Sequence, residues 1–250
     1  MGLAKPFYLT YRPNVRQGES DNLYMHDDRY LPNRWQVRQS IEMLYKDFEI
    51  LFDYIEPCDN NENCYSLRIY ELLLRTCTEI ESNMKNILIK NGYRRSDDRD
   101  LNMSDYAILN KSHFLSQFEV TMPNWTGRCK VAPFKAWREG IDSKLPWYAA
   151  YNHVKHNRQE KFNEATLKNA TFALCGLLVL YSAQFCNVRF ADDVIPNIYG
   201  WMSLDDNLSD AIGAPFRIKF PIYPDDEKYD FSWSEICMSD KPYRKIFNAD

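Results

Sequence analysis

No CxxC pair, no HExxH run and no histidine spaced from a cysteine as a zinc ligand would be occurs in the 250 residues. A metal-dependent hydrolase is left without its ligand set, and neither a metal nor a cofactor is expected. Apolar runs of membrane length are missing as well. The longest uncharged stretch, between Lys168 and Arg189, is broken by Asn169, Thr171, Ser182, Gln184 and Asn187, which fits a buried core helix better than a span. The opening MGLAKPFYLTYRPNVRQG holds no apolar stretch of signal-peptide length, and no Ser or Thr at position 6 completes a myristoylation pattern after Gly2. A cytoplasmic protein with no membrane partner is therefore expected. Repeats and low-complexity tracts are lacking. So is an excess of positive charge: 31 Lys and Arg stand against 35 Asp and Glu, a net −4 that excludes a chain coated with nucleic acid. The seven cysteines, at 58, 64, 77, 129, 175, 186 and 237, are odd in number and read as reduced thiols, several of them buried.

What is present reads as one folded domain with decorations. Apolar residues make up 45% and charged residues 26%, ordinary for a chain with a substantial core. Tyrosine (17), phenylalanine (14) and tryptophan (6) make that core and its surface rich in aromatics.

Residues 1–33 hold three prolines and no sustained periodicity, so an extended arm packed on the body is expected. MHDDRY within it reads as a solvated turn, since adjacent residues of an extended chain point to opposite sides. From Asn33, a plausible cap, Ile41, Leu44, Phe48, Leu51 and Ile55 form one helical stripe running to about Tyr54. DNNEN, 59–63, is a linking loop without the central glycine and final glutamate of a calcium site. A second helix spans Asn63 to Lys90, with Leu67, Tyr70, Leu74, Cys77, Ile80, Met84 and Ile87 inward and Asn91-Gly92 as its stop. On its outer face Arg75/Glu79 and Glu81/Lys85 match i,i+4 pairs.

A short helix capped by Ser104 covers 104–114, and Phe118, Val120 and Met122, a turn at Asn124 to Gly127, then Cys129 and Val131 read as a β-hairpin. A further helix is placed with Ser143 as cap and Pro146 in its first turn, and a long one, apolar almost all round, from Asn163 through Phe185. After Val188 the chain has many prolines and acids; FRIKFPIY and FSWSEICM are expected as short strands or turns over the helices. The fold class is mainly α, a helical bundle with a small β-hairpin and an irregular C-terminal extension.

Charge is unevenly spread. From Arg128 to Lys168 nine basic residues face four acidic ones, whereas from Asp192 to Asp240 eleven acids face three bases. A basic zone inside an acidic chain suits a localised phosphate site or an acidic partner. Within that zone lies WYAAYNHVKHNR, 147–158. At 100° per residue Trp147, Ala150, Tyr151 and Val154 face the core, while Asn152, Lys155 and His156 share the opposite side. Asn152 and His156 stand one turn apart, about 6 Å of rise, close enough to touch one substrate group together. Histidine suits proton transfer near neutrality, an asparagine can donate to a phosphate oxygen, and a nearby cation offsets charge building on phosphorus. The same pattern also describes an ordinary solvated helix face. His113 and His153 are assigned to structure or surface.

Y-N-H-V-K-H-N-R, 151–158, followed by a short gap and a long apolar helix, resembles the signature region of the HEPN superfamily, whose motif is an Arg, a polar residue (often Asn), three residues and a His. The Glu79 to Glu81 stretch is similar to the acidic helix of such bundles, and the likeness covers roughly 35 to 190. Asn152 and His156 take the polar and His places; Tyr151 stands where the motif has arginine, a departure. The resemblance implies an antiparallel bundle of four to five helices over 34–190, to which the residues themselves add an arm at 1–33 and a packed extension at 191–250. It also implies an RNA-directed homodimer, a metal-independent endoribonuclease of a toxin or phage-defence system with an antitoxin or defence-system partner protein. His156 would then be the acid and base and Asn152 would orient the scissile phosphate. Glu79 would orient a cation or His156, and Lys155, Arg158, Arg138 and Lys161 would supply positive charge. The family also holds non-catalytic members that bind RNA, nucleotides or partner proteins, and Tyr151 and the aromatic content speak for that branch.

Overall fold

The computed structural model describes residues 2–16, 22–32, 34–97, 99–186 and 216–247. It is mainly helical with one small antiparallel sheet. Four long helices carry the core: α1 (Arg34–Phe52), α2 (Leu67–Lys90), α5 (Pro146–His156) and α7 (Leu167–Phe185). Between them lie the short α3 (Met103–Tyr106), α4 (Leu109–His113) and α6 (Arg158–Lys161), and α8 (Trp233–Ile236) follows. Among these helices none is long and apolar enough to cross a membrane.

α1 buries Ile41, Leu44, Tyr45, Phe48 and Leu51, while Ile55, the last of the expected stripe, lies beyond the helix end at Phe52 and is only partly buried. Asn33, read as its cap, lies outside the described residues. α2 starts later than expected. Ser66, not Asn63, is the cap, its hydroxyl accepting from the Ile69 amide at 3.2 Å. Residues 62–65 are spent differently: the amides of Leu167 and Lys168 donate to the carbonyls of Cys64 (2.7 Å) and Glu62 (2.9 Å), tying the start of α2 to the start of α7. α2 packs on α1, α5 and α7, so one stripe is not enough. Ile69, Leu72, Leu73 and Leu88 are buried, and Leu67, expected inward, is 49% exposed. The stop is as expected: Gly92 takes φ 84°, and the amides of Tyr93 and Gly92 close on the carbonyls of Leu88 (2.9 Å) and Ile89 (3.1 Å).

The two i,i+4 pairs expected on α2 are replaced by contacts between elements. Arg75 pairs with Asp47 of α1, Lys85 reaches Asp100 at 3.4 Å, and Glu81 turns to α5. A neighbouring element offered each charge a partner that competes with the weak pairing along the helix.

Thr166 caps α7, accepting from the Asn169 amide at 3.2 Å, so this helix too begins a turn after the expected Asn163. Nearly all of α7 is buried, as its apolar surround requires. The long helices alternate in direction, so α2 and α7 run parallel: both start at the 62–65 strap, and both end against the arm, where Asn91 Nδ2 donates to the Tyr8 carbonyl (2.8 Å) and the Tyr11 amide to that of Ala183 (2.8 Å). α3 is capped by Asn102, not Ser104: Asn102 accepts from the Ser104 amide at 2.9 Å and Asp105 reaches back to the Asn102 amide at 2.9 Å. Phe114, at φ 53°, ends α4.

The hairpin is present as β1 (Glu119–Thr121) and β2 (Lys130–Val131), and β3 (Arg217–Lys219), from the FRIKFPIY stretch, adds a third strand on the other side of β1. Val120 stands opposite both Val131 and Ile218, all three buried. In the turn, Gly127 has φ 115°, and a Cβ there would lie 2.6 Å from the Asp59 carboxylate. That carboxylate cannot easily retreat, because it accepts from Trp125 Nε1 (2.8 Å) and the Arg128 amide (3.0 Å). Gly127→Ala is expected to cost about 1–3 kcal/mol, read as a lowered urea midpoint at unchanged slope.

The N-terminal arm is more than a wrapping. Leu9, Thr10, Tyr24, Met25 and Tyr30 are at most 1% exposed and share one core with the helices and with residues 216–247. Tyr229 runs through the arm. Its amide donates to the Pro13 carbonyl (2.9 Å), its carbonyl accepts from the Val15 amide (2.8 Å), and its hydroxyl accepts from the Phe7 amide (3.0 Å) and donates to the Thr10 carbonyl (2.8 Å). The stretch 191–215 of the expected C-terminal extension lies outside the described residues.

Candidate functional site

Pro146 occupies the first turn of α5, where a missing amide hydrogen costs nothing. Ser143 does not cap the helix; Leu145 is the capping residue, and its side chain makes no cap bond. Trp147, Ala150, Tyr151 and Val154 are buried, and Lys155 and His156 are exposed, with Asn152 between the two conditions. The periodicity of the segment thus places its faces correctly. Asn157 ends the helix in a non-helical conformation, its amide closing on the His153 carbonyl at 2.8 Å.

His156 stands at this end with no hydrogen-bond or ion-pair partner among the described residues, and its imidazole faces solvent. Asn152 stands one turn earlier, half-buried. Beneath them lies a polar cluster between α5 and α2. Tyr148 and Tyr151 both donate to Glu81, Tyr148 by a short bond to Oε1 and Tyr151 at 3.3 Å to Oε2. Lys155 Nζ donates to the Tyr151 hydroxyl at 2.9 Å and sits 5.0 Å above its ring centre. Burial, with Glu81 beside them, pushes both phenols up, and its bond to Tyr151 keeps the Lys155 ammonium protonated. Position 151 is therefore a pin joining two helices, and one cation of the motif is folded onto it.

The other expected residues are brought only partly together. Glu79 does not meet α5: its carboxylate accepts from Asn83 Nδ2 at 2.9 Å on its own helix, and Glu81 is the acid that reaches across. Glu81 continues the buried stripe of Cys77, Met84 and Leu88, so an acid on an inward position was the signal for it. Arg138 lies in the Lys135–Arg138 turn and donates to the Ser116 carbonyl at 2.8 Å. That turn packs through Phe134 on Trp147 at the start of α5, about 14 Å of helix rise from His156. Lys161 is taken up by Glu164 at 3.0 Å, which also holds His153 Nδ1 at 2.7 Å; together they draw the Glu164 carboxyl below its usual range. Arg158 has no carboxylate among the described residues and lies over the rings of Tyr70 (4.8 Å) and Phe162 (5.6 Å).

An exposed imidazole, a half-exposed carboxamide and a guanidinium with no counter-ion among the described residues lie within seven residues of one another along the chain, groups able to receive an anion and move a proton. Among the described residues no three His, Cys, Asp or Glu side chains gather as a metal site. Comparison of the chain with family models, with curated proteins and with solved structures finds no match.

Proposed function

We propose that the chain is an RNA-directed protein of the HEPN type, a metal-independent endoribonuclease that works as a homodimer. The observation that carries this reading is the end of α5, where His156 and Arg158 are exposed and, among the described residues, meet no carboxylate, while the adjacent His153 and Lys161 are consumed by Glu164. In this reading His156 takes the proton of a ribose 2′-hydroxyl, whose oxygen attacks the neighbouring phosphorus. The bond to the 5′ oxygen breaks, and that oxygen leaves with a proton from a second imidazole. One protomer offers one uncommitted imidazole at this helix end, so the second belongs to His156 of another copy. Asn152 donates to a non-bridging phosphate oxygen, and Arg158 and Lys155 offset the charge of the phosphorane. Glu81 holds Tyr148 and Tyr151 and so positions α5. Such an activity suits a toxin or phage-defence system, with an antitoxin or defence-system protein as its restraint.

The test is incubation of the full-length protein with end-labelled RNA in excess EDTA. Wild type is expected to leave 2′,3′-cyclic phosphate and 5′-hydroxyl ends, and His156→Ala to lower the rate by about a hundred-fold or more. Absence of cleavage by wild type across varied RNAs, or an unchanged rate in His156→Ala, removes the nuclease reading. A second reading, a non-catalytic module that binds a partner protein or nucleic acid, draws on one observation: the place of the motif's arginine is filled by a phenol 1% exposed and bonded on both sides.

A further inference from the structure

The guanidinium of Arg158 sits above an aromatic floor and meets no carboxylate among the described residues, although an exposed arginine in an acid-rich chain would ordinarily find one. The floor is made by Tyr70 and Phe162, and Tyr65 completes it, standing edge-on to Phe162 with ring centres 5.7 Å apart at 89°. Tyr65 is 52% exposed, so packing does not account for its ring. Its backbone is rigid: it bridges to Thr166, and the Cys64 carbonyl beside it accepts from Leu167 at 2.7 Å. This places a fixed, open aromatic edge and a planar cation at the meeting of α2, α6 and α7, two residues along the chain from His156.

We infer that Tyr65 and Arg158, backed by Tyr70 and Phe162, form a stacking subsite for an unpaired nucleobase, which makes single-stranded RNA the substrate class. The inference rests on the RNA-directed reading above. A guanidinium stacked on one face offers its other face to a base, and an exposed tyrosine offers a second surface. Both tolerate any base, because every base has a π-face. The nucleotide held there neighbours the phosphate at Asn152 and His156. A duplex keeps its bases inside its own stack and cannot use such a surface.

Binding of the full-length protein is measured by fluorescence anisotropy with three labelled RNAs of equal length: a single strand, a hairpin duplex and an abasic strand. The single strand is expected to bind about ten-fold more tightly than the other two. Tyr65→Ala and Arg158→Lys should each remove about ten-fold from single-strand affinity and leave the abasic strand unchanged, while Tyr65→Phe binds as wild type. Arg158→Lys keeps the charge and loses the plane, so a purely electrostatic role would leave it silent. Equal affinity for base-bearing and abasic strands, or variants indistinguishable from wild type, overturns the subsite. If His156→Ala abolishes cleavage while these variants bind normally, only the subsite falls. Base-dependent binding without cleavage leaves the subsite standing and removes the nuclease. No binding to any of the three RNAs removes both.

Discussion

Trp147→Ala is expected to lower the stability of the protein by about 3–5 kcal/mol, enough to threaten folding at physiological temperature. The indole is 1% exposed. Its ring meets Phe134 at 5.9 Å, and Gly176 on α7 lies so near that a Cβ there would be 3.4 Å from the indole. Its Nε1 donates to the Pro133 carbonyl at 2.8 Å. Truncation leaves a cavity between α5, α7 and the 133–138 turn and strands that carbonyl. Trp147→Phe, which keeps much of the volume and loses the donor, should cost less, about 1–3 kcal/mol. The measurement is a urea midpoint for each variant; equal midpoints for Trp147→Ala and wild type would show that the core closes around the loss.

Acidification is expected to weaken the fold through His113, well before general acid unfolding. The ring is wholly buried under the arm. Its Nε2 lies 3.0 Å from the Leu9 carbonyl and 3.2 Å from the Thr10 hydroxyl, and its Nδ1 2.9 Å from the Ser112 hydroxyl. Because a carbonyl only accepts, Nε2 carries the hydrogen and Nδ1 accepts from Ser112, so the neutral ring is satisfied. Burial first, and the Arg12 guanidinium second, hold the imidazole down at about 3. A histidine in the unfolded chain takes up its proton near 6.5. The unfolded state therefore binds more protons between those values, and the contribution is complete above about pH 6.5 and lost as pH falls toward 3. The loss amounts to about 2 kcal/mol at pH 5 and about 3 kcal/mol at pH 4 relative to pH 8. Thermal melts of wild type and His113→Gln across this range check the point: the variant starts lower and declines less steeply. Parallel declines would assign the acid sensitivity to other groups.

Much of the bundle was legible because periodicity is set by burial on one face. The stripe of α1, the turn that ends α2 and the two faces of α5 fall where the spacing places them. What the pattern could not show is where a second element intrudes. Residues 63–65 and 163–165 have a helical look, yet the carbonyls of Glu62 and Cys64 take the first two amides of α7, and each helix starts about a turn late. Arg75, Glu81 and Lys85 sit at good intrahelical spacing but found partners 28, 67 and 15 residues away in sequence. The same blindness affects the candidate site. Asn152 and His156 lie on the expected exposed face, while Glu79 was preferred to Glu81 because local spacing gives no account of which acid α5 would cover. Arg138, near in charge balance, is at the wrong end of the helix. The arm's depth of burial was hidden for a related reason: its partners lie from 83 residues on, at Asn91, to 222, at Tyr229, and an irregular segment carries no period to announce them.

That interleaving sets an order of assembly. Leu3, Pro6, Pro13 and Val15 are bonded to residues 228–244, so a segment made well before the helices is among the last to be fully secured. The helices can collapse while Leu3, Thr10, Pro13 and Val15 wait for the 228–229 segment that will lock them, a closure over a loop of more than 200 residues whose entropy must be met before its contacts form. Nascent chains halted before Tyr229 emerges would carry residues 3–15 incompletely held and protease-sensitive, and a chaperone meeting this protein during synthesis would meet it at that segment.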